Sequence, residues 1–212
     1  MFSAIIPIRK SKYQFEILPC NAKNLLERKV FYLKKIDHIK EIIIASNCDL
    51  KKEATNLGVK FYLRSKEESD DDVSLFVKNI ATQVKNKHII YTYCNTPLFD
   101  EKCLLNSIEK YLSLDFNTYD SLITCTKLQS FIFDENGAFN FKNIHTNSKN
   151  IATLYQLLNA CFIMSKELNL RYAYHFGKIP FKELIHKKDS FEIKDKESFI
   201  FFKNMLDKKE RK

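Results

Sequence analysis

The residues best suited to chemistry come early in the chain. The stretch "SAIIPIRKSKYQFEILPCNAKN", residues 3–24, carries an apolar strand out to Pro7 and then presents Arg9, Lys10, Ser11 and Lys12 together. Lys23 and Asn24 follow just before the next helical pattern. Positive charge, a hydroxyl and backbone N–H groups in one loop suit a polyphosphate: Arg offers a planar two-pronged contact and Lys a point charge. The loop is neither a Walker loop, lacking GxxxxGK[ST], nor a dinucleotide fingerprint, lacking GxGxxG. On charge alone, a solvated basic loop is the simpler account.

The elements that must position this loop alternate. "MFSAIIPI" reads as a short, fully apolar strand, "LLERKVFYLKKI" as a helix, "EIIIAS" (41–46) as a second buried strand, and "CDLKKEATNL" as a helix closed by Gly58. "VKFYLR", "KHIIYTYC" and "DSLITCT" are further strands, separated by the helices "DDVSLFVKNIATQV", opened by acidic residues, and "DEKCLLNSIEKYL". This alternation predicts a mostly parallel sheet with helices on both faces, an α/β Rossmann-like three-layer sandwich. In such sheets ligands sit beyond the carboxyl ends of the strands, near the point where strand order reverses, which is where residues 9–24 fall. The second half is less regular: "SFIFDENGAFNF" reads as a hairpin with Asn-Gly at its turn, "NACFIM" as a strand and "KESFIFFKNML" as a terminal helix. With no repeat and no Pro- or Gly-rich linker, one domain over residues 1–212 is expected, with a hairpin and dimerisation extension over roughly 128–165.

Composition narrows the partners. The chain has 212 residues, 45% of them hydrophobic, enough for a sizeable core. No apolar run reaches the roughly 18 residues of a membrane span, and no signal-peptide pattern opens the chain, so a cytoplasmic protein that binds no membrane is expected. Cys20, Cys48, Cys94, Cys103, Cys125 and Cys161 are scattered without a CxxC pair and read as reduced, mostly buried thiols. The net charge of +9 is spread along the chain and mixed with 26 acidic residues, which favours a small polyanionic ligand over nucleic acid. His38, His88, His145, His175 and His186 form no triad or metal spacing and read as structural or surface residues.

Taken in order, "IIPIRKSK" with Lys23-Asn24, "EIIIASN", "VKFYLRSKEESDDDVS" and "YTYCNTPLFD" resemble the acylneuraminate cytidylyltransferase family. Its members activate acidic sugars as CMP-sugars, and its relatives include the Kdo cytidylyltransferases. The resemblance spans essentially the whole chain and implies the nucleotide-diphospho-sugar transferase type of fold. The family opens with a strand, Pro-Ala-Arg, a Gly/Ser-rich turn and a Lys-Asn pair that hold the CTP phosphates. Pro7, Arg9, Ser11 and Lys12 match the first part, the glycines are absent, and Lys10 would compensate through its charge. Lys23-Asn24 is the nearest match to the pair, although counting back without a gap from the next helix selects Asn21-Ala22.

Further residues carry over one by one. Arg64 matches an arginine before the family's nucleotide-facing loop. Ser69-Asp70 and Ser74 match a Ser-Asp and a Ser lying near cytosine and ribose; for Ser69, a helix N-cap with Asp72 three residues on is an equal account. In "YCNTPLF" Pro97 and Leu98 match, Tyr93 stands for Gln, Thr96 for Ser and Phe99 for Arg. Asn95, Thr96, Tyr155, Gln156 and Asn159 are the sugar-side candidates; Asn159 also suits a strand-end turn. The family's closing motif has two Asp residues for Mg²⁺, and here Glu192 and Lys194 take those places, with Asp195 adjacent. An ammonium cannot ligate Mg²⁺, so either Glu192 holds it, with or without Asp195, or Lys194 takes over part of its charge, or metal binding is degraded.

The resemblance implies transfer of CMP from CTP to an acidic sugar, nonulosonic or Kdo-like, for surface glycan synthesis, by a homodimer using Mg²⁺, with Arg9 and Lys12 as the catalytic cations. Two other readings stand beside it: a divergent cytidylyltransferase with a phosphorylated small-molecule acceptor, and a nucleotide-binding paralogue without catalysis.

Overall fold

The computed structural model describes residues 1–69, 72–142 and 147–210. The strands are β1 (Phe2–Ile8), β2 (Ile39–Ser46), β3 (Lys60–Leu63), β4 (His88–Thr92), β5 (Ser121–Leu128), β6 (Phe133–Asp134), β7 (Gly137–Ala138), β8 (Leu154–Ser165) and β9 (Pro180–Leu184). The helices are α1 (Leu25–Lys34), α2 (Lys51–Asn56), α3 (Ser74–Gln83), α4 (Glu101–Leu112), α5 (Lys166–Tyr172) and α6 (Lys196–Glu210).

Seven strands form one sheet in the order β3-β2-β1-β4-β8-β5-β9, parallel throughout except for β8, which runs antiparallel to both neighbours. The expectation of a mostly parallel α/β sheet holds. Strand side chains alternate between faces, so Phe2, Ala4, Ile6 and Ile8 of β1 join the core beneath α1, α4 and α6, while Ile5 joins the core beneath α3. Helix starts are capped from the sequence: Asn24 and Glu27 form a capping box on α1, Asp100 accepts from Cys103 N–H at 3.1 Å on α4, and Ser165 accepts from Leu168 N–H at 3.2 Å on α5. No helix among the described residues is long and apolar enough to cross a membrane.

The second half departs from expectation. The hairpin is confined to β6 and β7, and residues 154–165 of the expected extension are β8 of the main sheet. Only 159–164 reads as a strand in sequence, because Tyr155, Gln156 and Leu157 at its start are exposed. Between Ile123 and Cys125 the β5–β8 register slips, and the Thr124 hydroxyl donates into the bulge, to the Leu158 and Cys161 carbonyls at 2.8 and 3.1 Å. All six cysteines are free thiols, four of them buried.

The loop carrying residue 175 is tied down as it returns to the sheet. Asp120 Oδ2 accepts from Lys178 and Ile179 N–H at 2.7 and 3.2 Å, and Gly177 N–H donates to Ser121 Oγ at 2.9 Å.

Candidate active site

Strand order reverses at β1, with β2 on one side and β4 on the other, and a cleft of about 410 Å³ opens there. Its walls include Pro7, Arg9 and Ser11 after β1, Arg64 after β3, and Tyr93 and Asn95 after β4. Phe15, Glu16, Val73, Phe76, Cys94, His175, Ile193 and Lys194 complete it. Five residues singled out in sequence, Arg9, Ser11, Arg64, Tyr93 and Asn95, thus share one cavity.

The loop after β1 makes its turns without glycine. Gln14 and Asn21 take the left-handed conformation, with φ of 46° and 57°. Gln14 N–H donates to Ser11 Oγ at 3.0 Å, and Lys10 N–H donates to Asn47 Oδ1 at 2.7 Å. Phe15 stacks between Tyr13 and Phe199, at ring-centroid distances of 5.3 and 5.2 Å, which pins the loop to α6. Other loop candidates point elsewhere. Lys10 and Lys12 are outside the cleft wall, with the Lys12 ammonium 5.2 Å from the Tyr13 ring. Lys23 lies 3.6 Å over Phe31, and Asn24 is spent on capping α1.

Arg64 is 8% exposed. Its guanidinium carbon lies 4.1 Å from the Phe76 ring centroid, one Nη donates to the Glu68 carbonyl, and Nε is buried without a hydrogen-bond partner. Asn95 Oδ1 is likewise buried without a partner. A donor and an acceptor left open in the same cavity suit a polar ligand. His175 meets Tyr91, Phe162 and Tyr93 at 4.6, 6.2 and 6.5 Å; burial lowers its pKa to about 4, aided by the Arg64 charge, so the imidazole is neutral near pH 7. Burial also raises the Tyr93 pKa, so its phenol stays protonated. Sequence reading assigned His175 an ordinary role; a lone histidine beyond α5 carries no spacing signal.

Several candidates have structural duties instead. Ser69 does not cap α3: it sits in a 3-10 turn and donates to the Ser65 carbonyl at 2.7 Å, whereas Asp72 accepts from Ser74 N–H at 2.8 Å. Ser69 and Ser74 lie outside the cleft wall, where Val73 contributes. Asp70 and His145 fall outside the described residues. Thr96 is fully buried and donates to the Tyr93 carbonyl at 3.3 Å and the Asn159 carbonyl at 3.5 Å, so its hydroxyl joins two strands and does not face a ligand. Phe99 lies in the core, its carbonyl accepting from the buried Lys29 ammonium at 3.2 Å.

A second cleft of about 700 Å³ adjoins the carboxyl end of β5, the start of β8 and the chain beyond β9. Lys127, Gln129, Ser130, Gln156, Lys187, Ser190, Glu192 and Lys194 supply its polar lining. Tyr155 and Asn159 are not in its walls: Tyr155 lies beneath the Lys182 ammonium at 5.9 Å, and Asn159 occupies the β8 bulge.

The metal candidates are already engaged. Glu192 Oε1 accepts from Asn95 Nδ2 at 3.0 Å, and its Oε2 lies 3.1 Å from the Lys194 ammonium. Asp195 accepts from Ser198 N–H at 2.8 Å at the start of α6. Among the described residues no group of three His, Cys, Asp or Glu could hold a metal ion. Mg²⁺ takes one or two carboxylates beside substrate phosphates and water; with Glu192 tied to Asn95 and to an ammonium, and Asp195 to Ser198, neither candidate carboxylate stands free to hold it.

An α/β sheet with a basic cleft at its strand-order reversal defines a nucleotidyltransferase-like fold. The chain belongs to the cytidylyltransferase family, whose model matches residues 16–207, and its members are nucleotidyltransferase enzymes that use CTP. Solved structures share the fold at low identity. A CMP:2-keto-3-deoxy-manno-octonic acid synthetase complexed with CTP superposes with a TM-score of 0.72 at 8% identity, covering 98% of this chain and 99% of the other. The 4-diphosphocytidyl-2C-methyl-D-erythritol synthase from Anaerococcus prevotii has a TM-score of 0.69 at 15% identity, covering 97% and 96%. The 2-C-methyl-D-erythritol 4-phosphate cytidylyltransferase from Thermus thermophilus has a TM-score of 0.61 at 10% identity, covering 97% and 98%. No curated protein matches the chain by sequence.

Proposed function

We propose that the enzyme transfers CMP from CTP to an acidic sugar of the nonulosonic or Kdo-like type, releasing pyrophosphate, for surface glycan synthesis. CTP lies in the central cleft, its phosphates toward Arg9 and Ser11 and its base toward the open Arg64 Nε–H and Asn95 Oδ1. The acceptor lies in the second cleft. A hydroxyl oxygen of the acceptor bonds to the α-phosphorus as the α-phosphorus–bridging oxygen bond breaks; pyrophosphate leaves in line and the hydroxyl proton passes to water. No side chain forms a covalent intermediate; the protein positions the reactants and neutralises charge.

The observation that carries this reading is the second cleft itself. It is lined by three lysines, Lys127, Lys187 and Lys194, and one acidic residue, Glu192, together with Gln129, Gln156, Ser130 and Ser190. That lining matches an anion carrying several hydroxyls. It also matches a phosphorylated polyol, the second reading, which two of the fold relatives favour by their names. The six free thiols suit a reducing compartment such as the cytoplasm. A homodimer belongs to the same proposal, supported by the exposed Phe131, Phe133 and Phe139 around the hairpin; light scattering that gives a monomer removes that part.

Pyrophosphate release tests the reading: purified enzyme with CTP is offered N-acetylneuraminate, Kdo and 2-C-methyl-D-erythritol 4-phosphate in turn. Turnover with an acidic sugar alone supports the proposal, turnover with the phosphate alone selects the second reading, and no turnover with any of them removes both.

A further inference from the structure

Lys194 is the cationic side chain common to both clefts. Its surroundings explain how it is held there. Ile193, buried between Glu192 and Lys194, donates its N–H to the Asn95 carbonyl at 2.7 Å, which fastens this segment to the loop after β4. Glu192 is fixed by Asn95 Nδ2 at 3.0 Å and in turn draws the Lys194 ammonium to 3.1 Å. The following residue is fixed too, since Lys194 N–H and Asp195 N–H both donate to Ser198 Oγ at 3.1 Å. The backbone at 194 is therefore anchored, while the side chain is 61% exposed and lines both clefts.

We propose that Lys194 is a catalytic residue of the transfer, its ammonium bridging the nucleotide's α-phosphate and the anionic acceptor at the junction of the clefts, with Glu192 holding it ready between turnovers. The inference rests on the cytidylyltransferase reading above. Two anions must be brought to bonding distance there, and they repel unless a cation lies between them. The described residues offer no protein-held metal site for that cation, whereas Lys194 stands at the required place with a flexible stem and a compact charge. Glu192 is a positioning residue: it keeps the ammonium from drifting into solvent, yet it is a weaker attractor than a polyphosphate.

The test combines calorimetric CTP binding with pyrophosphate release by the wild type and by Lys194→Ala, Lys194→Arg and Glu192→Gln. Removing a cation that acts chiefly in the transition state is expected to lower kcat about 100-fold in Lys194→Ala, with CTP affinity changed much less. Lys194→Arg keeps the charge and is expected to recover at least a tenth of the wild-type rate. Glu192→Gln keeps the bond to Asn95 and loses only the tether, so it falls by about tenfold or less. Residual Lys194→Ala activity should depend more steeply on added Mg²⁺ than the wild-type activity does, a response that a merely structural lysine would not produce. Because Lys194 is exposed, both of its variants should melt at the wild-type temperature. An active wild type whose Lys194→Ala variant stays within about threefold, with the same Mg²⁺ response, overturns the inference but not the parent reading. A wild type that binds CTP yet turns over none of the acceptors overturns both.

Discussion

The Arg64 guanidinium lies over the ring of Phe76, its central carbon 4.1 Å from the centroid, with Nε buried and unpartnered at the edge of the central cleft. The ring on one side and the Glu68 carbonyl on an Nη hold the guanidinium and so the open donor, which a primary ammonium could not reproduce. Arg64→Lys should therefore weaken CTP binding by about 10- to 100-fold, the range expected from losing one charge-assisted hydrogen bond. Calorimetry measures it; an unchanged affinity would mean that Arg64 serves only the fold of its loop.

His175 makes stability sensitive to acid. Its folded pKa of about 4 lies below the ordinary value of 6.5, so between these values the unfolded chain binds more protons than the folded one. Stability therefore falls as pH drops from about 6.5 through about 4. His175→Phe keeps an aromatic ring beside Tyr91 and cannot titrate. Urea midpoints compared at pH 7 and pH 4.5 should show a smaller acid loss in this variant than in the wild type.

Lys29 acts at the opposite end of the pH scale. It is 2% exposed, and desolvation brings its pKa down from 10.5 to about 8. The unfolded chain binds the extra proton between these values, so stability rises as pH increases from about 8 to 10.5, by about 3 kcal/mol. Lys29→Met, which fills the same space without charge, should lack that rise and be at least as stable as wild type at pH 7. Chemical denaturation at pH 7, 8.5 and 10 decides it.

Gly177 has no room for a side chain unless Asp120 shifts. A Cβ built there falls 2.2 Å from the Asp120 carboxylate carbon, and that carboxylate is held by two N–H groups of the same loop. Gly177→Ala should cost about 1–3 kcal/mol of stability. It should also weaken CTP binding, because the loop carries His175 into the cleft two residues earlier. A variant with wild-type melting temperature and affinity would show that Asp120 can move aside without consequence.

The parallel half of the fold was legible because its strands are largely buried on both faces and read as apolar runs, as in Phe2–Ile8 and residues 42–45 of β2. Two elements were missed. Pro180–Leu184 is a half-exposed edge strand with Lys and Glu in its pattern, and Lys166–Tyr172 is a short helix following β8 with no break beyond the Ser165 cap. In the cleft, Arg9 and Ser11 were legible as part of a basic loop after the first strand, and Arg64, Tyr93 and Asn95 through motif order. Asn24 and Thr96 looked equally suitable until the fold assigned their polar atoms to a helix end and to strand carbonyls. His175, Lys127 and Lys187 were out of reach, since they meet the cleft walls through tertiary packing and have no local pattern.

The reversed direction of β8 brings its first residues, not its last, to the ligand end of the sheet, alongside the finish of β5. One wall of the second cleft is thus reached by the single connection between β5 and β8, whose length and composition can vary while the strands around the central cleft keep their pairing. Under the proposed assignment of that cleft to the acceptor, a change of acceptor is an edit at one insertion point that leaves the strands of the central cleft as they are.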